Sequence, residues 1–201
     1  MHGHIDLDKK PSASDDRVAR SVPVIDLDSA SAVERIALAC RDWGFFQVTN
    51  HGVPEALIEQ TWQQARAFFA LPVADKERII RTRENPWGYY NNELTKNQRD
   101  KKEVFDYTSA GTDPVYGAEN RWPDFDDHFR AVLEEYRDAC VTLSLRILRM
   151  MAEGLGLEKE FFSALFEPDH TGFVRLNYYP VADPMANRDD VDHLDVADMG
   201  V

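Results

Sequence analysis

The chain has 201 residues, 43% hydrophobic and 11% aromatic, which is enough apolar material for one ordinary core. Its 36 acidic residues outnumber the 23 basic ones, and the net charge of -13 argues against nucleic acid or an anionic membrane as a partner. Residues 1–20 are polar and contain no apolar run that could form a signal peptide or a membrane span. We therefore predict a cytoplasmic protein with a disordered tail at 1–20. Cys40 and Cys140 lie in helix-like apolar patterns, which predicts buried thiols rather than a disulfide.

The first half of the chain alternates short strands with helices. Residues 22–27 form an apolar stretch that contains a proline, as edge strands do, and residues 45–48 predict a second strand. Between them, Ser31 and Glu34 have the spacing of a capping box ahead of a helix. Apolar residues at helical intervals then predict a helix over 57–69, which is followed by a short one over 75–81 and an extended segment at 89–90.

The second half contains the longest periodic segment. Apolar residues keep helical spacing from 125 to 150, and a shorter helix is predicted over 158–166. Residues 173–179 alternate as in a strand. From residue 182 onward the periodicity fails, and the many aspartates there predict a loop.

Several segments together resemble one family, the Fe(II)- and 2-oxoglutarate-dependent oxygenases of the isopenicillin N synthase-like class. The resemblance extends from about residue 22 to 201, and its landmarks occur in the family's order. They are Val22-Pro23-Val24-Ile25-Asp26-Leu27, Trp43-Gly44-Phe45-Phe46-Gln47-Val48-Thr49-Asn50-His51-Gly52-Val53-Pro54, Phe68-Phe69-Ala70-Leu71-Pro72 with Lys76, Trp87-Gly88-Tyr89, Lys102-Glu103-Val104-Phe105-Asp106-Tyr107 and Arg175-Leu176-Asn177-Tyr178-Tyr179-Pro180. The second of these strings is long enough to make chance a poor explanation.

The resemblance implies an α+β fold in which a helical N-terminal region with a few strands packs on the beginning of a double-stranded β-helix, or jelly roll. We expect that jelly roll to be incomplete in this chain. The implied organisation is a tail at 1–20, an N-terminal oxygenase region at 21–122, a long helix with a supporting helix at 123–168, and the first strands of the truncated jelly roll at 169–201.

The implied function is that of a dioxygenase that oxidises a small organic molecule with O2 and converts 2-oxoglutarate to succinate and CO2. Fe(II) and 2-oxoglutarate are the implied cofactor and co-substrate, and we expect neither to bind tightly to this chain alone, which we expect to be inactive. The missing C-terminal half is then a partner. The alternative is a truncated, non-catalytic module of the same fold that associates with a partner protein through the apolar strand at 173–179.

The resemblance implies an iron ion held by two histidines and one carboxylate, with coordination positions left open for 2-oxoglutarate and O2. His193-Leu194-Asp195 has the local His-x-Asp pattern, but the residues that follow differ from those of the family. The residues after Asp195 favour the interpretation that His193 and Asp195 are loop residues. The expected iron ligands would then lie beyond residue 201. Both remain candidates for metal binding, and no catalytic residue is assigned.

Two residues match the family's 2-oxoglutarate contacts. Strand alternation puts Asn177 and Tyr179 on the same face, and their counterparts bind 2-oxoglutarate inside the jelly roll. The other interpretation, that they only pack the barrel mouth, stays open. Tyr89, Tyr90 and Phe105 match segments that line the substrate entrance, although plain core positions are the commoner use of such aromatic residues.

Three other polar residues are predicted to be structural. His51 lies in an Asn-His-Gly turn, where a hydrogen-bonded turn histidine is expected rather than a catalytic one. Lys102 and Glu103 are adjacent, so their side chains should point to opposite faces of a strand and form separate ion pairs.

Overall fold

A computed structural model describes residues 21–95, 98–109, 111, 113, 115–166 and 172–181. The chain divides into two compact units. One takes its described residues from within Met1–Val53 and Ala139–His170, and the other from within Pro54–Asp138 and Thr171–Val201. His193, Asp195 and the tail at 1–20 lie outside the described residues. Among the described residues, no helix has the length and apolarity needed to cross a bilayer.

The first unit contains a two-stranded parallel sheet and the helix between its strands. Strands β1 (Val24–Asp26) and β2 (Gln47–Thr49) are joined by helix α1 (Ala32–Asp42). The buried face of α1 packs on the strands and on the later turns of the long helix α4 (Asp127–Gly154), which the sequence periodicity had predicted. The members of this core are Ile25, Leu27, Ala32, Ile36 and Ala39, with Leu143, Ile147, Met150 and Met151 against them.

Two expectations for this unit were wrong. The Ser31 hydroxyl makes no capping bond to the helix; it pairs with the Ser29 hydroxyl at 3.0 Å. Cys40 is exposed and Cys140 is only partly buried, and neither forms a disulfide. The buried positions of α1 are 32, 36 and 39, so residue 40 lies one step past the buried stripe.

The second unit contains helices α2 (Glu55–Phe69) and α3 (Val73–Glu77), the first turns of α4, and a three-stranded antiparallel sheet. Strand β6 (Glu103–Tyr107) lies between β3 (Gly88–Tyr90) and β7 (Val174–Tyr178). A small hairpin pairs β4 (Leu94–Thr95) with β5 (Gln98–Arg99).

Two predicted helices are shorter than expected. Helix α3 was predicted over 75–81, but it starts earlier because Pro72 begins it. It also ends earlier, because residues 79–81 turn toward β3. There the amide of Tyr89 donates to the Ile79 carbonyl at 3.0 Å, and the amide of Arg81 donates to the Tyr89 carbonyl at 2.9 Å. In the other unit, helix α5 (Ser163–Phe166) forms only the end of the predicted range 158–166.

The register of the three-stranded sheet separates its residues into two faces. One face turns Tyr89, Phe105 and Leu176 side by side into an aromatic core. Phe68 of α2 is at the centre of this core. The centre of its ring lies 5.0 Å from that of Phe105 and 5.3 Å from that of Phe129. We call the opposite face, which carries Tyr90, Val104, Asp106, Arg175 and Asn177, the polar face.

Candidate functional site

The two residues predicted to contact 2-oxoglutarate lie on the polar face, at the side of β7. Asn177 is paired across the sheet with Val104, and continuing the same register places Tyr179 opposite Lys102. Both side chains are accessible, and Tyr179 is 68% exposed. An amide and a phenol on the same side of an extended segment can donate hydrogen bonds to a carboxylate.

Charged side chains surround these two residues. Arg175 holds Asp106 with two parallel hydrogen bonds of 2.7 Å, from Nε and Nη2. Its Nη1 lies 2.8 Å from Oε1 of Glu93, and Nζ of Lys102 lies 2.8 Å from Oε2 of the same carboxylate. Arg81 reaches both Glu93 and Asp106 at 3.4 Å. The polar face therefore presents three cations and two carboxylates in one connected network.

The network sets the protonation of its members. Burial alone would raise the pKa of Glu93, but the hydrogen bond from Lys102 and the charges of Arg175, Lys102 and Arg81 outweigh it and lower that pKa below its usual value. The hydrogen bond to Glu93 is the main cause of a raised pKa at Lys102. Hydrogen bonds to Asp106 likewise raise the pKa of Arg175. All three residues are thus held in their charged forms at neutral pH.

The aromatic residues predicted to line the substrate entrance divide between the two faces. Tyr89 and Phe105 are fully buried in the aromatic core, on the side of the sheet away from Asn177. Tyr90 lies on the polar face, where the guanidinium of Arg81 sits 3.8 Å from its ring centre. Only Tyr90 of the three shares a face with the predicted 2-oxoglutarate contacts.

The prediction that Lys102 and Glu103 form separate ion pairs is confirmed. Lys102 joins the network on the polar face, whereas Glu103 faces the core and lies 2.5 Å from Nζ of Lys76. The Tyr89 hydroxyl donates to the same Glu103 oxygen at 2.5 Å, and Lys76 also donates to the Phe69 carbonyl at 3.0 Å. This buried ion pair is satisfied on both sides, so its role is structural.

The structural prediction for His51 is also confirmed. Its Nδ1 accepts a hydrogen bond of 3.1 Å from the amide of Val53, within the tight turn. Asn50 adopts a positive φ of 51° and donates from its side chain to Asp26 at 2.8 Å. The turn motif therefore fastens β2 to β1.

The described residues do not form an iron site. No group of three His, Cys, Asp or Glu side chains within them could hold a metal ion. The candidates His193 and Asp195 are outside the described part of the chain.

Sequence reasoning missed the network around Glu93. The signal for Arg175 and Asp106 was present, because alternation gives Arg175 the same face as Asn177, and Asp106 the same face as Lys102. Glu93 and Arg81 lie outside regular elements, so periodicity could not have identified them.

Helices packed beside an antiparallel sheet define an α+β fold. Residues 22–125 match the family model described as the N-terminal region of the non-haem dioxygenases in morphine synthesis. The chain belongs to this family, that of the 2-oxoglutarate/Fe(II)-dependent dioxygenases.

Relatives of known sequence agree with this assignment. The chain is 34% identical to Jasmonate-induced oxygenase 2 of Arabidopsis thaliana over 183 residues, which cover 85% of this chain and 49% of the relative. It is 32% identical to Flavanone 3-dioxygenase of Petroselinum crispum over 188 residues, 87% of this chain and 50% of the relative. The chain thus spans about half the length of the curated relatives it matches.

Solved structures show the same fold. The structure of JOX2 in complex with 2OG, Fe and JA matches with a TM-score of 0.69 at 33% identity, over 92% of this chain and 55% of that one. The dioxygenase for auxin oxidation in rice matches with a TM-score of 0.54 at 24% identity, over 79% of this chain and 52% of that one. At that identity the second match supports the fold alone.

Proposed function

We propose that the chain is the N-terminal part of a dioxygenase that oxidises a small organic molecule with O2 and converts 2-oxoglutarate to succinate and CO2. One observation carries the proposal: Asn177 of β7 and Tyr179, the residue just after β7, are both accessible on the side that carries Arg175 and Lys102. The molecule 2-oxoglutarate carries two carboxylates. Hydrogen bonds that involve an ionised group, such as a carboxylate or a cationic side chain, are stronger than those between neutral groups. The family assignment and the 2OG-bound relative support the same choice.

The contribution of this chain to the reaction is binding and orientation of 2-oxoglutarate. The amide of Asn177 and the hydroxyl of Tyr179 would donate to its carboxylate oxygens, and the nearby cations would offset its charge. Bound ferrous iron would supply the O2 chemistry, but the described residues provide no site for it. We therefore assign no step of the oxidation to them.

The reaction is tested with a fusion protein in which residues 1–180 are followed by the part of Jasmonate-induced oxygenase 2 that comes after the strand matching β7. The assay measures the CO2 released from 2-oxoglutarate. We expect CO2 and succinate in equal amounts. The double variant Asn177→Ala with Tyr179→Phe should release CO2 at least about tenfold more slowly, because it loses hydrogen bonds to a charged ligand. Tyr116→Phe, at another exposed tyrosine of the same unit, is the matched control and should leave the rate unchanged.

Equal rates for the double variant and its parent would contradict the proposed role of Asn177 and Tyr179. The 201-residue chain alone should give no decarboxylation, since a jelly roll closes only when about eight strands are present. Decarboxylation by the chain alone that His193→Ala abolishes would show instead that this chain contains its own iron ligand.

A second candidate function is a binding module that recruits a partner protein through β7. This strand ends the three-stranded sheet among the described residues, and Phe173 and Tyr178 beside and within it are exposed. A cavity of about 390 Å³ lies along the same strand. Its lining comes from α2, α4 and β7 and includes the apolar side chains of Ile58, Trp62, Phe69, Tyr136, Leu176 and Tyr178.

For this second function we predict that Phe173→Lys weakens association of the chain, because a charge placed beside an exposed strand edge opposes pairing with another strand. Sedimentation velocity at several protein concentrations would measure the effect. Val115→Lys, which changes an exposed apolar residue outside β7, is the control. Aggregation of the purified chain that a C-terminal fragment of the enzyme relieves would contradict the binding-module function and support the severed enzyme.

A further inference from the structure

Glu93 is the meeting point of three cations that come from separate parts of the chain. Its two carboxylate oxygens contact Arg175 and Lys102 at 2.8 Å and Arg81 at 3.4 Å. The side chain is only 15% exposed. Its backbone is fixed as well, because its carbonyl accepts a hydrogen bond of 2.7 Å from the amide of Asp100, beyond the β4–β5 hairpin.

Two of these cations flank the residues proposed to contact 2-oxoglutarate. Arg175 precedes Asn177 by two positions, so both side chains lie on the polar face of β7. Lys102 is the cross-strand neighbour of Tyr179 when the register of β6 and β7 is continued. Glu93 therefore reaches both ends of the segment that carries Asn177 and Tyr179, once directly and once through Lys102.

We propose that Glu93 is a positioning residue for 2-oxoglutarate binding, which holds β7 so that Asn177 and Tyr179 face the ligand together. The inference rests on the proposed function. Glu93 acts on the ligand through Arg175 and Lys102 and does not contact it.

The charges of the network explain why an uncharged substitute should fail. The groups that face Glu93 are Arg81, Lys102, Arg175 and the phenol of Tyr90. Asp106 is bound to Arg175, and Asp100 lies 3.7 Å from Lys102. Without the Glu93 charge, the three partly buried cations would repel each other across the edge of the sheet. Separation of β7 from β6 relieves that repulsion, and β7 is the strand with a free side among the described residues.

The sign of the pH dependence follows from the lowered pKa of Glu93. Its contribution to holding β7 is complete above the usual glutamate pKa and is lost as the pH falls through the lower pKa of the folded state. A residue that only filled space would give no such profile. The difference between the wild-type chain and Glu93→Gln should thus be constant near neutral pH and shrink in acid.

The experiment compares backbone amide hydrogen exchange in the 201-residue chain, its Glu93→Gln variant and its Glu93→Asp variant. We expect Glu93→Gln to speed exchange in β7 about tenfold relative to α2, and Glu93→Asp, which keeps the charge, to restore part of the protection. Glu134→Gln is the matched control, because it removes a carboxylate that pairs with the exposed Arg130 at 2.9 Å. Repeating the comparison at a pH below the usual glutamate pKa should reduce the difference in β7.

Unchanged exchange in β7, or faster exchange spread evenly over α2 and β7, would overturn the inference. So would equal loss of protection in the Glu93→Gln and Glu93→Asp variants. Titration with 2-oxoglutarate then separates this inference from the function on which it rests. Weaker binding of 2-oxoglutarate by Glu93→Gln than by the wild type supports both the positioning role and the proposed function. A wild-type chain that shows no response to 2-oxoglutarate contradicts the proposed function. In that case the exchange result still decides whether Glu93 holds β7.

Discussion

Replacing Glu103 with glutamine is expected to lower the free energy of unfolding by about 3–5 kcal/mol, because it leaves the ammonium group of Lys76 buried without a counter-charge. Both side chains are at most 3% exposed, and Nζ of Lys76 lies 2.5 Å from the Glu103 carboxylate. The glutamine amide can keep a hydrogen bond but cannot balance the charge. Urea denaturation followed by circular dichroism would measure the loss.

Two further variants test the physical reason. Glu134→Gln breaks an ion pair that is exposed, so it should change the free energy of unfolding by less than about 1 kcal/mol. The double variant Lys76→Met with Glu103→Leu removes both charges and should regain most of the stability, since apolar residues can replace a buried ion pair. A double variant no more stable than Glu103→Gln would contradict the explanation by an unpaired charge.

The second large effect is expected at Gly88, in the Trp-Gly-Tyr motif. Gly88 has a φ of 110°, and a side chain there would have its Cβ overlap the backbone carbonyl oxygen of Ile79. The strained backbone costs about 1–3 kcal/mol for a residue other than glycine, and the clash adds to it. Gly88→Ala should therefore lower the free energy of unfolding by about 3 kcal/mol or more.

Gly111 provides the control for this prediction. Its φ of 92° is similar, but an added Cβ would meet no atom of the described residues within 4 Å. Gly111→Ala should show the backbone cost alone, and the difference between the two variants measures the clash with Ile79. Equal losses of stability in urea denaturation would show that the close approach of residues 79 and 88 does not explain the glycine.

Helices α2 and α4 and the strand β7 could be predicted because each has a clear period. The alternation over 173–179 predicted that Asn177 and Tyr179 share a face, and β7 confirms the strand. Alternation alone does not say which face of a strand is buried. That depends on the register with β3 and β6, which turns Phe105 and Tyr89 into the core together.

The charged networks could not be predicted for a different reason. Lys76 and Glu103 are 27 positions apart, and the sequence does not show that either is buried. Glu93 lies between strands, where no period fixes the direction of a side chain. Partners of this kind are brought together only by tertiary packing. The capping box at Ser31 was wrong for a related reason, since Ser29 offers its hydroxyl a nearer partner.

We expect the accessible surface around Asn177 and Tyr179 to bind 2-oxoglutarate, and nuclear magnetic resonance of the isotope-labelled chain would detect that binding residue by residue. On titration with 2-oxoglutarate, we expect saturable shifts of the Asn177 side-chain amide and of the backbone amides of Asn177 and Tyr179, with weak affinity, about millimolar. The Asn177→Ala variant should lose the shift at Tyr179. Saturable shifts confined to other residues, or an unchanged response in Asn177→Ala, would contradict 2-oxoglutarate binding at Asn177 and Tyr179.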